Sequence, residues 1–195
     1  MSDVKNVYAA EPTTTGCIFV GPLATPGPAL PDPFDDLDVD FIDLGDAGED
    51  GFKETADRKI DKKRNFGGKV VKVLQTEFSQ MYEFVLLESL NAEVLKAIYG
   101  ASNVTVVAAN SQHGVIVQVK KNAKRLPHLS WVIDTIDTQL SAKYRTYIMD
   151  GQIFDTGEVK VVHTDTIEYK VQLEAFEVDG DHAFSWSDNG QLTGS

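Results

Sequence analysis

Between residues 167 and 176, apolar and polar side chains alternate without a break. Ile167, Tyr169, Val171, Leu173 and Ala175 fall on one side, and Glu168, Lys170, Gln172 and Glu174 on the other. A period of two puts one face on a core and the other in water, which predicts a half-buried strand. The same reading predicts strands at 69–76 and 81–87, joined near Glu77 to Gln80, and a hairpin from 104–109 and 115–120 around Asn110 to Gly114. Further strands are expected at 130–139, 143–149 and 158–162, and GCIFV at 16–20 is a short apolar one. In DLDVDFIDLG, Leu37, Val39 and Phe41 alternate with Asp36, Asp38 and Asp40, predicting a half-buried strand with its acids outward.

One segment carries helix signals. Asn91 is a suitable N-cap, Glu93 suits the positive helix end, Leu90 and Leu95 are spaced as a hydrophobic staple, and Gly100 is a left-handed stop. About two turns are too few to stand on propensity, so packing must hold them.

The remainder has little apolar content. Residues 1–15 read as a flexible arm and 177–195 as a polar, loosely ordered tail, flanking a body at 16–176. Five prolines within 21–33 remove ladder donors and make an extended connector. Residues 49–68, with mixed charge and few apolar positions, read as a long exposed loop, a feature that in a compact domain is usually functional or mobile. The elements sum to a mainly β fold, a sandwich or barrel with one short α-helix, whose strand edges invite pairing with other copies.

Composition narrows the function. The 195 residues suffice for one good core. A net charge of −12 opposes affinity for nucleic-acid phosphates, while an acidic wall keeps a passing polyanion from sticking. The single cysteine, Cys17, excludes an internal disulfide and fits folding in a reducing compartment. MSDVKNVYAA lacks an apolar h-region, so no signal peptide is expected, and no apolar run approaches the length of a membrane span.

Candidate chemistry is sparse. His113, His128, His163 and His182 have no His or Cys partner at metal-ligand spacing, and Cys17 lies in an apolar strand. Asp36-x-Asp38-x-Asp40 begins like a calcium loop, but the next residue is Phe41 where that loop needs glycine, and Ala47 stands at the twelfth position in place of glutamate. Glu177-Val-Asp-Gly-Asp-His182 is equally weak, and Gly16, Gly21 and Gly27 precede no helix that a phosphate would use. No catalytic residue, metal site or cofactor is expected. Lys59, Lys62, Lys63 and Arg64 form a basic cluster interleaved with Glu54, Asp57 and Asp61. It reads either as a solvated loop or as a contact to the acidic 35–50 surface of a neighbouring copy, where Asp36, Asp38, Asp40, Glu49 and Asp50 lie.

Taken in order, several pieces resemble the major tail tube proteins of long-tailed, siphovirus-type bacteriophages, in particular those infecting actinobacteria. They are Gly16 to Pro22 with its proline-rich sequel, Asp43-Leu-Gly45 with Glu49-Asp-Gly51, Phe66-Gly-Gly-Lys-Val70 through Phe84-Val-Leu-Leu-Glu88, Asn91 to Gly100, and Ile167 to Phe176. A tryptophan often found before the central glycine is replaced here by Asn65-Phe66, and no appended immunoglobulin-like domain, which some relatives carry, is expected. The resemblance implies a non-enzymatic homo-oligomer of the virion tail, assembled in the host cytoplasm. Its hexameric rings would stack around the tape measure protein, meet tail terminator and distal tail proteins, and pass double-stranded DNA without binding it specifically; no membrane is involved. Other tube formers, such as a contractile-secretion tube protein or a tail terminator, share these features. A carbohydrate- or ligand-binding β-sandwich is the alternative from another class. Such modules display aromatics on one strand face, whereas Trp131 and Trp186 are far apart in sequence and Tyr144 and Tyr147 point to opposite faces of one strand.

Overall fold

A computed structural model describes residues 6–13, 16–23 and 25–191. Eleven strands and one α-helix are found among them. The strands are β1 (Glu11–Pro12), β2 (Ile18–Pro22), β3 (Ile42–Asp43), β4 (Ala47–Arg64), β5 (Val70–Leu86), β6 (Val104–Val107), β7 (Ile116–Val119), β8 (His128–Asp137), β9 (Ala142–Asp155), β10 (Tyr169–Ala175) and β11 (Ala183–Asp188). Nine of them form one sheet in the order β3-β2-β8-β9-β10-β5-β4, with β1 added to β8 and β11 to β9; β6 and β7 pair separately. The molecule is mainly β, as the hydrophobic pattern predicts.

The core follows from which faces are covered. Tyr169, Val171, Leu173 and Ala175 of β10 are all buried, so the period-two pattern maps directly onto the structure. They join Tyr82, Phe84 and Leu86 of β5, Trp131 and Ile133 of β8, and Ile148 and Ile153 of β9. Ser130 to Ile133 are buried without alternation because both faces of β8 are covered: Val132 packs with Phe41 and Tyr147 in a second, smaller cluster. Gly151 sits against the Trp131 ring, where an added Cβ would fall 2.8 Å from Cδ1.

The helix α1 (Ala92–Tyr99) buries Val94, Leu95, Ala97 and Ile98 in the main core. Asn91 accepts a hydrogen bond from Glu93 N at 2.9 Å, and its Nδ2 donates to Glu88 at 2.8 Å. Gly100 ends the helix at φ +85° and ψ 133°, outside the left-handed helical well and in a region that only glycine enters cheaply. Leu90 is 90% exposed, so the expected staple to Leu95 does not form. Replacing Asn91 with alanine is expected to cost about 1 kcal/mol, through the lost cap. In a chain of this size that is a fall of roughly 2–4 °C in Tm by calorimetry; an unchanged Tm would show that water replaces the cap.

Several expectations are corrected. Residues 49–68 are not a loop: 49–64 are most of β4, which pairs with β5 as far as Lys63↔Lys72 and Arg64↔Val70, and 65–68 belong to the turn between the two strands. The two strands expected at 69–76 and 81–87 are one continuous β5. Both faces of this hairpin lie largely in water, so its sequence has no reason to alternate. Residues 36–41 turn back on themselves, with Phe41 N donating to Asp38 O at 3.0 Å, and Val39 is 95% exposed. Only Phe41 of the expected apolar row is buried, and the strand there is confined to Ile42–Asp43. Residues 158–162 form no strand and leave Val161 and Val162 exposed. The tail contributes β11, paired with β9 from Ala183↔Ile148 to Asp188↔Lys143. At the N-terminus, residues 6–13 lie along β8: Tyr8 Oη donates to Thr135 Oγ1 at 2.8 Å, and Ala9 N to Asp137 Oδ2 at 3.0 Å. The expected flexibility of residues 1–5, 14 and 15, and of 192–195, lies outside the described residues.

Candidate assembly interface

The hairpin of β4 and β5 is the feature a compact domain does not need. Its base belongs to the body: Phe52 faces Phe84, Glu54 faces Tyr82, and Ala56 faces Gln80, and the three β5 partners are buried. Gln80 Nε2 donates to Glu54 Oε1 at 2.6 Å. Burial, with Glu54 nearby, pushes the Tyr82 hydroxyl far above the ordinary phenol range, so it stays neutral. One step outward, the Arg58 guanidinium lies 4.5 Å over the Phe78 ring, whose other neighbour is His182 at 4.8 Å. Beyond Arg58 the arm has no body to rest on. Residues 52–64 alone reach about 40 Å when extended.

The distal arm is basic and partly apolar. Residues 58–72 hold seven cations and one anion, net +6; in a chain of −12 this leaves −18 on the remainder. Lys59 Nζ pairs with Glu77 at 2.7 Å, and Lys63 with Asp61 at 2.5 Å, both exposed. Lys59 is held protonated to higher pH than usual by its hydrogen bond to Glu77. Arg64 Nη1 donates to Gly68 O at 2.9 Å and tightens the turn. Ile60, Val71 and Val73 are more than half exposed and Phe66 is fully exposed.

The predicted contact residues thus fall in three places. Lys59, Lys62, Lys63 and Arg64 lie together on the distal arm. Glu49 and Asp50 lie at the base of the same strand. Asp36, Asp38 and Asp40 sit on the exposed turn over the smaller core cluster. Among the described residues no ion pair joins the basic set to either acidic set. For Phe66 as a contact residue the sequence carries one signal: a lone aromatic in an Asn-Phe-Gly-Gly turn between cations, where a purely solvated turn has no use for it. A second feature needed the fold to appear. Tyr8, Phe34, Tyr144 and Trp186 come from four separate segments to line a cleft of about 930 Å³.

Three of the four histidines and the cysteine are engaged in structure, while His163 is exposed. His128 Nδ1 meets Asp150 at 2.6 Å beneath Phe176, joining β8 to β9. His182 Nδ1 bonds Ala175 O, and His113 bonds Asn110 and Gly114 within its own turn. Cys17 is buried, which raises its thiol pKa and keeps it from reacting as a thiolate. Among the described residues no three His, Cys, Asp or Glu side chains converge as a metal site, and no helix is long and apolar enough to cross a membrane.

A comparison with curated proteins finds no match. A comparison with protein families does: the family described as phage tail tube protein matches residues 7–193, which takes in the sheet, the helix and the whole arm. By that match the chain belongs to the phage tail tube protein family.

Proposed function

We propose that this protein is the building block of a siphovirus-type tail tube, in which hexameric rings stack around a tape measure protein and later conduct double-stranded DNA. The family match over nearly the whole chain carries this reading, because the family is a structural one whose members assemble into a tube. The arm supports it. A two-stranded hairpin is marginal in water unless something packs on it, and this one extends far beyond its own body with both faces wet. A neighbouring copy would supply the missing surface. The contact would join Lys59, Lys62, Lys63 and Arg64 to the acidic positions of the next subunit, among them Asp36, Asp38, Asp40, Glu49 and Asp50.

The same charge distribution suits a conduit. Once the basic arms are engaged with neighbours, the acidic remainder would line the exposed surfaces, and a negative wall lets a polyanion slide without sticking. Tape measure, tail terminator and distal tail proteins would be the partners, with no enzymatic role for the tube subunit. Assembly in the host cytoplasm and residence in the virion tail complete the proposal.

Negative-stain electron microscopy of concentrated protein, with mass by light scattering, tests it: rings or tubes with a central hole are expected. Association should weaken as salt rises from about 0.05 to 0.5 M, since exposed opposite charges are screened within a few ångströms at the upper end. Association that is indifferent to or strengthened by salt would remove the electrostatic part of the reading.

A further inference from the structure

The two ends of the arm are complementary. At its tip the fully exposed Phe66 stands among the cations of residues 58–72, backed by Ile60, Val71 and Val73, which are 53%, 62% and 54% exposed. At its base a cavity of about 550 Å³ opens between β4 and the N-terminal strand β1. Tyr8, Pro12 and Phe52 give it apolar walls, and Glu11, Glu49 and Asp50 place three carboxylates around it. An aromatic side chain carries about 150–250 Å² of surface to bury and prefers a pocket that already presents rings.

We propose that Phe66 of one copy inserts into this cavity of a second copy, with the basic tip facing Glu11, Glu49 and Asp50. The inference rests on the tube reading above and specifies its contact. The occupant must be another copy, because a chain's own tip stands about 40 Å along the strand from its own cavity. Each copy therefore gives one tip and receives one. Such a heterologous contact does not close as a pair; it propagates into a ring or a stack. Charge sets the direction: a tip of net +6 is drawn to the carboxylate-bearing base and repelled by another tip.

Cysteine cross-linking reads the contact directly. In a Cys17→Ala background, Gly67→Cys protein, which keeps Phe66, is mixed with mass-tagged protein carrying Ala10→Cys at the cavity rim, which keeps all three carboxylates, and oxidised. The mixed disulfide is expected about tenfold faster than with Glu158→Cys, an exposed control remote from the cavity, as a docked pair raises the effective concentration. Equal rates overturn the proposal. Phe66→Ser, at a position that contributes nothing to the subunit core, should weaken association roughly thirtyfold by loss of an aromatic anchor; unchanged association also overturns it. If wild-type tubes form and Phe66→Ser tubes form equally well, the cavity contact falls and the tube reading stands. If the wild type never associates and cross-linking stays at the control rate, both fall.

Discussion

Replacing Arg145 with alanine is expected to be among the most damaging single changes in the subunit, at about 3–5 kcal/mol, a loss of roughly 6–20 °C in Tm. The side chain is 8% exposed, and every arm of the guanidinium is used. Nε and Nη2 bond the two carboxylate oxygens of Asp134 at 2.6 Å each, and Nη1 bonds the carbonyls of Pro33 and Asp35 at 2.9 and 2.8 Å. The alanine variant leaves a half-buried carboxylate and two carbonyls without a donor, and removing one member of such a set costs far more than the pair contributes. Lysine should not rescue, because a point ammonium cannot reproduce the bidentate fork. The carbonyls belong to the proline-rich connector, so limited proteolysis should begin to cut within 25–35. A double-mutant cycle decides the cause: Asp134→Ala should cost much less in the Arg145→Ala background than alone. Additive costs, or a loss under about 1 kcal/mol for Arg145→Ala, would show that water enters and satisfies the site.

Excising the distal arm should have the opposite profile. If residues 60–76 are replaced by Asn-Gly, the hairpin closes between Lys59 and Glu77, which already pair. Asn-Gly favours the turn that matches strand twist. The buried core includes no residue of the excised segment, so subunit stability should change by only about 1 kcal/mol. Assembly should be lost: the shortened protein stays monomeric by light scattering at concentrations where the full chain forms rings or tubes. Tubes built normally from the shortened chain would show that the arm is not an assembly element. A misfolded product would instead locate stabilising contacts in the arm that the monomer does not display.

Both predictions concern features with very different visibility in the sequence. The β10 pattern was plain because one face of that strand meets a continuous core, so each second position must be apolar. The same physics hid the arm. Where neither face is buried, backbone pairing alone defines the strand, and Glu-Thr-Ala-Asp-Arg-Lys resembles a loop. The acidic run at 36–41 failed in reverse: it alternates convincingly, yet Leu37 and Phe41 serve a turn covering Val132 and Tyr147, and Val39 points into solvent. β11 is not legible in the sequence because its six residues gain their partner from β9, more than thirty positions upstream.

From the sequence alone come the mainly β class, the helix between Asn91 and Gly100, the acidic charge, and a run of motifs whose order resembles the family. These depend on local periodicity, capping and composition, which the chain carries at each position. Tertiary structure decided the rest. It placed Arg145 opposite Asp134 by the β8–β9 register, drew β1 alongside β8, and set a basic, phenylalanine-tipped arm far from a cavity near Glu11, Glu49 and Asp50. Such relations join residues through strand pairing across the sheet, and long-range pairing leaves no local pattern from which to read it.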